Sequence, residues 1–287
     1  MPDPVPNAAP SLADKRKAFR RLHDSGCFVI PNPWDVGSAR YLQALGFKAL
    51  ATTSSGFAFA QGYPDRGVPL DAVLAHVRAL AAASDLPINV DFESGHAADA
   101  AGVAANVRRC IDAGAAGLSI EDATGDPAEP LYSRDDAVAR IRAARRAIDE
   151  SGEDVMLVGR AEGLLVGRGG LDDVIGRLQA YSSAGADILY APMLKTRAQI
   201  EAVVAAVAPK PLNVLNGANL GFSVEALAAM GVRRISVGGS LARAAWTGFA
   251  RAAQEIASRG TFTGFDGLMT NAELNAFFGA DRKRRPA

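Results

Sequence analysis

The sequence predicts an α/β protein of the (β/α)8 TIM-barrel class with a C-terminal helical extension. Eight short apolar segments have the composition of strands buried on both faces of a parallel sheet, and alanine-rich amphipathic segments separate most of them. Eight such alternations in a chain of 287 residues fit a barrel, which usually needs roughly 250 residues. The rival is a doubly wound open sheet, but its glycine-rich turn after the first strand is replaced here by Pro31–Asp35.

The predicted strands are short apolar runs bounded by turn-forming residues. In chain order they are Phe28–Pro31, Lys48–Thr53, Ile88–Asp91, Gly117–Glu121, Val155–Arg160, Ile188–Ala191, Leu212–Leu215 and Ile235–Gly238. Four of them follow closely on a glycine, at positions Gly46, Gly114, Gly185 and Gly231. Glycine suits the left-handed position that ends a helix, so these residues mark a helix end before each strand.

The predicted helices carry small and apolar residues along one face. They are Ser38–Leu45, Asp71–Ala83, Ala98–Ala113, Arg134–Ser151, Leu171–Ala184, Thr196–Val207 and Val224–Met230. After Trp246 the chain continues with Phe249–Ser258, a break at Gly260–Gly267, and Asn271–Phe278. We therefore expect an N-terminal tail and leading helix (residues 1–20), the barrel (21–245), and a C-terminal helical extension with a basic tail (246–287).

Composition excludes several classes of function. The 31 basic and 31 acidic side chains give a formal net charge of zero, which argues against a nucleic-acid or membrane-surface partner. Cys27 and Cys110 belong to no cysteine or histidine cluster, so neither a disulfide framework nor a structural zinc site is expected. There is no signal-like N-terminus and no apolar run of about 18 residues. We therefore expect a soluble, cytoplasmic protein.

Acidic residues follow three of the predicted strands. Asp91 and Glu93 come at the end of the third strand, Glu121 and Asp122 at the end of the fourth, and Glu162 after the fifth. The carboxyl ends of barrel strands meet at one edge, where ligands bind, so these side chains should converge. Carboxylates this close repel one another unless a cation offsets them, and Mg²⁺ prefers oxygen ligands. The pattern predicts a Mg²⁺ site.

Other polar residues are expected at the same edge. Arg160 ends an apolar strand, and its guanidinium suits a substrate carboxylate or phosphate, although it could instead pair with a neighbouring glutamate. The Thr52–Gly56 segment is a small polar turn, in which Gly56 would let backbone N–H groups point at a ligand. Asn213 on the seventh strand adds an amide.

Taken together, these residues resemble the isocitrate lyase/phosphoenolpyruvate mutase superfamily from about Pro31 to Gly239. The matching pieces are Pro31–Arg40, Ser54–Gly56, Gly62–Asp65, Val90–Gly95, Leu118–Asp122 and Gly159–Glu162. Their order and spacing together are specific, whereas no single piece is. The resemblance implies a Mg²⁺-dependent barrel enzyme, with Mn²⁺ as an alternative ion, that makes or breaks a bond to C3 of pyruvate or a relative through a metal-bound enolate.

The resemblance also implies roles for individual residues. Asp91 is the direct metal ligand, with Glu93 and Glu121 holding metal-bound waters. Ser55, Gly56 and Phe57 match the turn that grips the substrate, with Thr52 beside it. Arg160 faces the substrate carboxylate or phosphonate, and Asp65 lies near the substrate.

Two departures from the family pattern bear on the chemistry. Positions 93 and 162 carry glutamate where the family usually has aspartate. The loop Ala123–Tyr132 lacks the cysteine that acts as general acid in isocitrate and methylisocitrate lyases. Isocitrate lyase activity itself is therefore not expected, and the catalytic acid or base falls to Tyr132 or Asp65.

We predict a Mg²⁺-dependent lyase that cleaves or forms a C–C bond in a small 2-oxo or 2-hydroxy carboxylic acid. Two alternatives stay open: P–C bond chemistry of the phosphoenolpyruvate mutase or phosphonopyruvate type, and a carboxylate-binding barrel without catalysis. The extension also holds more apolar surface than a closed barrel needs. Its aromatic residues are Phe249, Phe262, Phe265, Phe277 and Phe278. With the family resemblance they predict a homo-oligomer, a tetramer or dimer, with exchanged C-terminal helices.

Overall fold

Eight parallel strands form the centre of the structure, a computed structural model that describes residues 9–284. They are β1 (Phe28–Ile30), β2 (Leu50–Ala51), β3 (Ile88–Asp91), β4 (Gly117–Glu121), β5 (Met156–Arg160), β6 (Ile188–Tyr190), β7 (Leu212–Leu215) and β8 (Arg234–Ser236). Their order in the sheet is β1-β8-β7-β6-β5-β4-β3-β2. The Ala51 N–H donates to the carbonyl of Pro31 (3.0 Å), which brings β2 next to β1. The predicted (β/α)8 barrel is confirmed.

Helices lie between the strands and continue beyond the last one. They are α1 (Leu12–Arg21), α2 (Val36–Ala44), α3 (Ser54–Ala60), α4 (Leu70–Ala83), α5 (Ala100–Asp112), α6 (Arg134–Ser151), α7 (Leu171–Ser183), α8 (Arg197–Val207), α9 (Val224–Ala229), α10 (Ser240–Arg259) and α11 (Asn271–Arg284). All seven predicted inter-strand helices are present, with their ends shifted by at most two residues. The sequence prediction missed α3. No helix within residues 9–284 has the length and apolar character needed to cross a membrane.

Glycines end several helices as the sequence predicts. Gly46, Gly114, Gly185 and Gly231 have φ between 86° and 106°, each just before a strand. This left-handed conformation is open to glycine at little steric cost, and it turns the chain from the helix back into the sheet.

Helix α1 is fixed against the amino-terminal side of the barrel. Phe19 is fully buried in the cluster of side chains that fills the barrel interior. Lys15 donates to the carbonyls of Ala81 and Ser84, at the end of α4, and Arg16 donates to that of Ile111, near the end of α5. Because the last carbonyls of a helix have no intrahelical partner, these cations satisfy them and attach α1 to the barrel.

The described chain divides into two compact units, one covering residues 10–240 and the other running from Leu241 onward together with Ala9. In the second unit a turn containing a short 3₁₀ helix (Thr263–Phe265) separates α10 from α11. Glu255 holds this turn by accepting hydrogen bonds from Thr261, Thr263 and Gly264, which lower its pKa to about 2. The predicted break at Gly260–Gly267 is confirmed. The predicted tail at residues 1–8 lies outside the described residues.

Candidate active site

The side chains at the carboxyl ends of β3, β4 and β5 meet around one guanidinium. Arg160 lies beside Glu121 in the strand register. One terminal nitrogen of Arg160 lies 3.2 Å from Asp91 Oδ1 and 3.1 Å from Glu121 Oε2, and its Nε contacts Glu162. The predicted convergence of Asp91, Glu121 and Arg160 is therefore present in the structure.

Asp91 is oriented by the strand and helix next to it. Its backbone N–H donates to Thr52 Oγ1 (2.8 Å), which follows β2 directly. Its Oδ2 accepts a hydrogen bond from the N–H of Ser54 (3.1 Å), the first residue of α3. Thr52 and α3 therefore fix the direction of this carboxylate, and the first N–H groups of a helix favour a negative group there.

Glu93 and Glu121 share a second arginine, Arg66, which the sequence reasoning did not identify. A terminal nitrogen of Arg66 lies 2.8 Å from Glu121 Oε1, and its Nε lies 3.9 Å from Glu93 Oε2. Arg66 and Glu93 both have φ in the left-handed region, at 67° and 47°. Such backbone strain in non-glycine residues concentrates at functional sites.

A cavity of about 180 Å³ opens beside these groups and extends into the barrel. Six of the predicted site residues line it: Thr52, Ser55, Asp65, Asp91, Arg160 and Asn213. Glu93 lines a smaller adjoining pocket, and Glu121 lies behind Arg160 with its side chain 7% exposed. The structure thus brings most of the predicted site to one cavity.

Gly56 and Phe57 do not line this cavity, and the reason is α3. The expected turn at Thr52–Gly56 is wrong, because its second half is the first turn of this helix, capped by Thr53. The Gly56 N–H donates to Thr53 Oγ1 (3.2 Å), so it is used within the helix. The Phe57 ring stacks on His76 with centroids 3.9 Å apart.

Tyr132 and Asp122 also point elsewhere. The Tyr132 ring packs under the guanidinium of Arg140, 3.9 Å from its centroid, and the residue does not line the cavity. Asp122 accepts hydrogen bonds from the Tyr181 hydroxyl (2.6 Å) and from Arg177 (3.1 Å), both on α7. It therefore joins the barrel to an outer helix, and it is not one of the acids at the mouth.

The charge balance of the mouth favours a bound cation. Five carboxylates stand against the two arginines, and they are Asp65, Asp91, Glu93, Glu121 and Glu162. Burial raises the pKa of Glu93, Glu121 and Glu162 even with the arginines present. A divalent ion would supply the missing charge, and the oxygen-only donors fit Mg²⁺.

The positions of these carboxylates limit the number of protein ligands that a divalent ion at the mouth would have. Within residues 9–284 there is no group of three acidic, histidine or cysteine side chains close enough to hold a metal by themselves. Mg²⁺ commonly takes one or two carboxylates and keeps several waters. The side chains at the mouth fit an ion held directly by Asp91, with Glu93 and Glu121 acting through water.

Glu93 should make the stability of the metal-free protein depend on pH. Burial, and then the charge of Asp91, raise its pKa from 4.5 to about 7. A carboxyl with a higher pKa in the folded than in the unfolded protein destabilises the fold as pH rises between the two values. We expect Glu93 to reduce the free energy of unfolding by at most about 3 kcal/mol over this range. Urea unfolding of Glu93→Gln from pH 4.5 to 8 should therefore show a flatter profile than wild type.

The exposed glutamate Glu201, on α8, provides a matched control for this measurement. Glu201→Gln should leave the pH profile unchanged, because its carboxylate is solvated in both states. A Glu93→Gln profile that coincides with the wild-type profile would contradict the placement of Glu93 in a buried, acidic setting.

With this geometry established, comparison with known proteins identifies the family. Residues 19–257 match the phosphoenolpyruvate phosphomutase family. The chain belongs to this family. It is thereby a member of the isocitrate lyase/phosphoenolpyruvate mutase superfamily, which confirms the resemblance carried by the sequence motifs.

Two curated relatives are enzymes of carboxylic acid metabolism. The chain is 36% identical over 189 residues to the 2-methylisocitrate lyase of Escherichia coli (strain K12), an alignment covering 63% of this chain and 62% of that enzyme. It is 36% identical over 205 residues to the oxaloacetate decarboxylase of Rhodopseudomonas palustris (strain ATCC BAA-98 / CGA009), covering 67% of this chain and 68% of that one. The chain thus aligns with about two thirds of each relative's length.

Two solved structures share the fold along almost the whole chain. A lyase/mutase structure from Burkholderia cenocepacia J2315 is 47% identical, with a TM-score of 0.88, covering 93% of this chain and 96% of that one. A phosphonopyruvate hydrolase in complex with oxalate and Mg²⁺ is 26% identical, with a TM-score of 0.80, covering 94% and 96%. A family relative with this fold therefore binds Mg²⁺ together with a small dicarboxylate.

Two arginines of the site were missed by sequence reasoning, for different reasons. Arg66 lies in a loop, and no short-range pattern shows how far a loop arginine reaches. Arg234 lines the inner end of the cavity from β8. The pair Arg233 and Arg234 could have indicated this. Because successive strand residues point to opposite faces of the sheet, one of these two arginines had to face the barrel interior. The predicted strand began at Ile235 and left Arg234 out.

Proposed function

We propose that the protein is a Mg²⁺-dependent lyase that cleaves or forms a C–C bond in a small 2-oxo or 2-hydroxy carboxylic acid. The observation that carries this proposal is the meeting of three carboxylates with Arg66 and Arg160 at the carboxyl edge of a barrel of this family. The carboxylates are those of Asp91, Glu93 and Glu121. A bound divalent ion, with Mn²⁺ as the alternative to Mg²⁺, would stabilise the negative oxygen that develops when such a bond changes.

Arg160 is the residue best placed to orient the substrate. Its hydrogen bonds within the described residues use Nε and one terminal nitrogen, donating to Glu162 and Asp91. The second terminal nitrogen is left for a substrate carboxylate, and the Tyr190 ring packs against the guanidinium, 4.9 Å from its centre. Because the carboxylates hold the guanidinium in place, little side-chain entropy is lost when the substrate binds.

Asp65 is the better of the two expected acid–base candidates. It lines the cavity, whereas Tyr132 is turned away beneath Arg140. Burial, and then the charge of Asp91, raise the pKa of Asp65, which keeps a proton on it more readily than on a solvated aspartate. Asp65 would thus move the proton that accompanies C–C bond cleavage, in the place of the cysteine missing from the loop Ala123–Tyr132.

We also propose an oligomeric state and a cellular location for the protein. Trp246, Phe249, Phe262, Phe265 and Phe278 are between 38% and 63% exposed on the C-terminal unit. We infer that a second copy covers these side chains in a homodimer or tetramer, and light scattering that reports a monomer would contradict this. A cytoplasmic enzyme that acts on free carboxylic acids, without nucleic-acid or membrane partners, fits the balanced charge.

A substrate panel tests the proposed reaction. Oxaloacetate, 2-methylisocitrate, 2,3-dimethylmalate and phosphonopyruvate are each incubated with Mg²⁺ or with EDTA, and the products are measured. We expect turnover of at least one of the first three, lost in EDTA and restored by Mg²⁺. Turnover of phosphonopyruvate alone would indicate P–C chemistry instead. Ligand binding without any product, unchanged in Asp91→Asn, would indicate a carboxylate-binding barrel that has no catalytic activity.

A further inference from the structure

A buried arginine without a counter-charge lies at the inner end of the cavity. Arg234, the first residue of β8, is 3% exposed and lines the same cavity as Asp91 and Arg160. Its side chain makes two hydrogen bonds within the described residues, from Nε to Asn213 Oδ1 (2.8 Å) and from a terminal nitrogen to Asn89 Oδ1 (3.4 Å). A guanidinium has five N–H donors, so this one has donors to spare.

No acidic side chain among residues 9–284 forms a salt bridge with Arg234. Burial lowers its pKa to about 10, so the group still carries its charge at neutral pH. His23, in the turn after α1, is close enough for the charge of Arg234 to act on it, but its pKa is lowered to about 3 and it is neutral. A buried charge without a partner destabilises a fold by several kcal/mol, which calls for a reason to keep it.

The groups around Arg234 are suited to binding an anion, and they do not neutralise the arginine as a structural ion pair would. Besides apolar residues such as Ile30 and Ala51, the inner wall of the cavity carries amides and hydroxyls without any carboxylate, from Asn32, Asn89, Ser119, Asn213 and Ser236. The amide nitrogen of Asn89 is not used in a hydrogen bond within the described chain, so it adds a donor next to Arg234. The amides of Asn32 and Asn213 already donate to Thr52 and Ser236, so the spare donors at this end of the cavity are those of Arg234 and Asn89, in contrast to the acidic mouth.

The distance between the acidic mouth and the Arg234 end of the cavity matches the length of a small molecule. Asn89 and Asp91 are two residues apart on β3, which places them about 6.6 Å apart along the strand. The cavity of about 180 Å³ has room for roughly six waters. A small acid bound at Arg160 could thus reach Arg234, whereas a nucleotide or a sugar phosphate is too large.

We propose that Arg234 and Asn89 form a second anion subsite, which binds a second carboxylate of the substrate at the inner end of the cavity. This inference rests on the proposed function and narrows it: the enzyme acts on acids with two carboxylates near opposite ends, in preference to monocarboxylic acids. Arg160 orients one carboxylate at the mouth, and Arg234 pairs with the other.

The test compares two ligands that share the 2-oxo acid group, pyruvate and 3,3-difluorooxaloacetate, of which the second adds a carboxylate and two fluorines at C3. Affinities are measured by calorimetry with Mg²⁺ for wild type and Arg234→Met. We expect the variant to bind the difluoro compound at least about 30-fold more weakly, because one partner of a buried charge pair is lost. Its affinity for pyruvate should change less than twofold.

Arg233→Met is the matched control, since it makes the same change one residue away. Arg233 donates to the carbonyl of Gly26, outside the cavity, and the variant should bind both ligands as wild type does. Thermal unfolding provides a second readout without ligand. Arg234→Met should unfold at the wild-type temperature or above, because it removes an unpaired buried charge. A purely structural arginine would instead lower that temperature.

Each outcome decides the proposal. Equal losses for both ligands in Arg234→Met, no loss for either, or a variant that is less stable or fails to fold would overturn the subsite. If wild type binds pyruvate with Mg²⁺ but no more tightly when the second carboxylate is present, only the subsite is contradicted. Wild-type protein that binds neither ligand would contradict the proposed function as well.

Discussion

Asp91→Asn is expected to lower kcat/KM on the best substrate of the panel by about 10³-fold, the upper end of what losing one stabilising electrostatic contact produces. Asparagine matches aspartate in size and keeps one oxygen, which can accept the hydrogen bond from Ser54 or the one from Arg160 but not both, because these donors use different oxygens of Asp91. It lacks the negative charge that holds a divalent ion. Mg²⁺ binding measured by calorimetry should weaken together with the activity.

The control for Asp91→Asn is the same change at Asp71. That residue lies on the exposed surface of α4, in an ion pair with Arg109, and Asp71→Asn should retain activity within about twofold. If Asp91→Asn kept wild-type activity in the presence of Mg²⁺, the assignment of Asp91 as the metal ligand would be wrong.

Arg160→Met is expected to abolish substrate binding and to destabilise the protein at the same time. Arg160 sits among Asp91, Glu121 and Glu162, and the last two are at most 7% exposed at their side chains. Removing one partner from a buried ionic network leaves the others uncompensated, which typically costs about 3–5 kcal/mol of the free energy of unfolding. Urea unfolding measures this loss, and calorimetry with oxalate and Mg²⁺ measures the loss of binding.

The instability of Arg160→Met should depend on pH in a defined direction. Burial already raises the pKa of Glu121 and Glu162 above the ordinary value of 4.5, and losing the guanidinium raises it further. Relative to wild type, the loss is therefore absent while these carboxyls are protonated in both folded proteins. It begins as pH rises through their pKa in the wild-type fold and is complete above their higher pKa in the variant. A loss of stability relative to wild type that is the same at pH 5 and at pH 10 would contradict this explanation.

Arg145→Met is the control for Arg160→Met. It shows whether the loss of oxalate binding is specific to Arg160 or follows from the loss of any partly buried ion pair. Arg145 pairs with Asp149 and Asp187 outside the barrel, so the variant should lose some stability and keep its affinity for oxalate. Equal loss of oxalate binding in both variants would mean that Arg160 acts on the fold alone.

The sequence was informative wherever local chemistry decides the structure. The segment Gly117–Glu121 is apolar at most positions and follows a glycine that ends a helix, so both its strand character and its bounds could be read directly. Because parallel strands share a carboxyl edge, the meeting of Asp91, Glu121 and Arg160 followed from the order of the strands alone.

The sequence was least informative about the direction in which a side chain points and about how far a side chain on a loop extends. Asp122 follows Glu121 immediately, and alternation along the strand sends its carboxylate to α7 instead of the mouth. Thr53 and Gly56 could belong to a turn or to a capped helix by sequence, and the hydrogen bond from the Gly56 N–H to Thr53 Oγ1 shows that they form the helix. Arg66 reaches the acids from a loop, and its path is set by contacts distant in sequence.

Locating the metal ion is the most direct test of the proposed site at Asp91. Crystals grown with Mn²⁺ and oxalate would show the ion by its anomalous scattering. We expect an ion within about 2.0–2.2 Å of a carboxylate oxygen of Asp91, with oxalate between the ion and Arg160. No ion at the mouth under saturating Mn²⁺, or an ion bound only elsewhere on the protein, would contradict it.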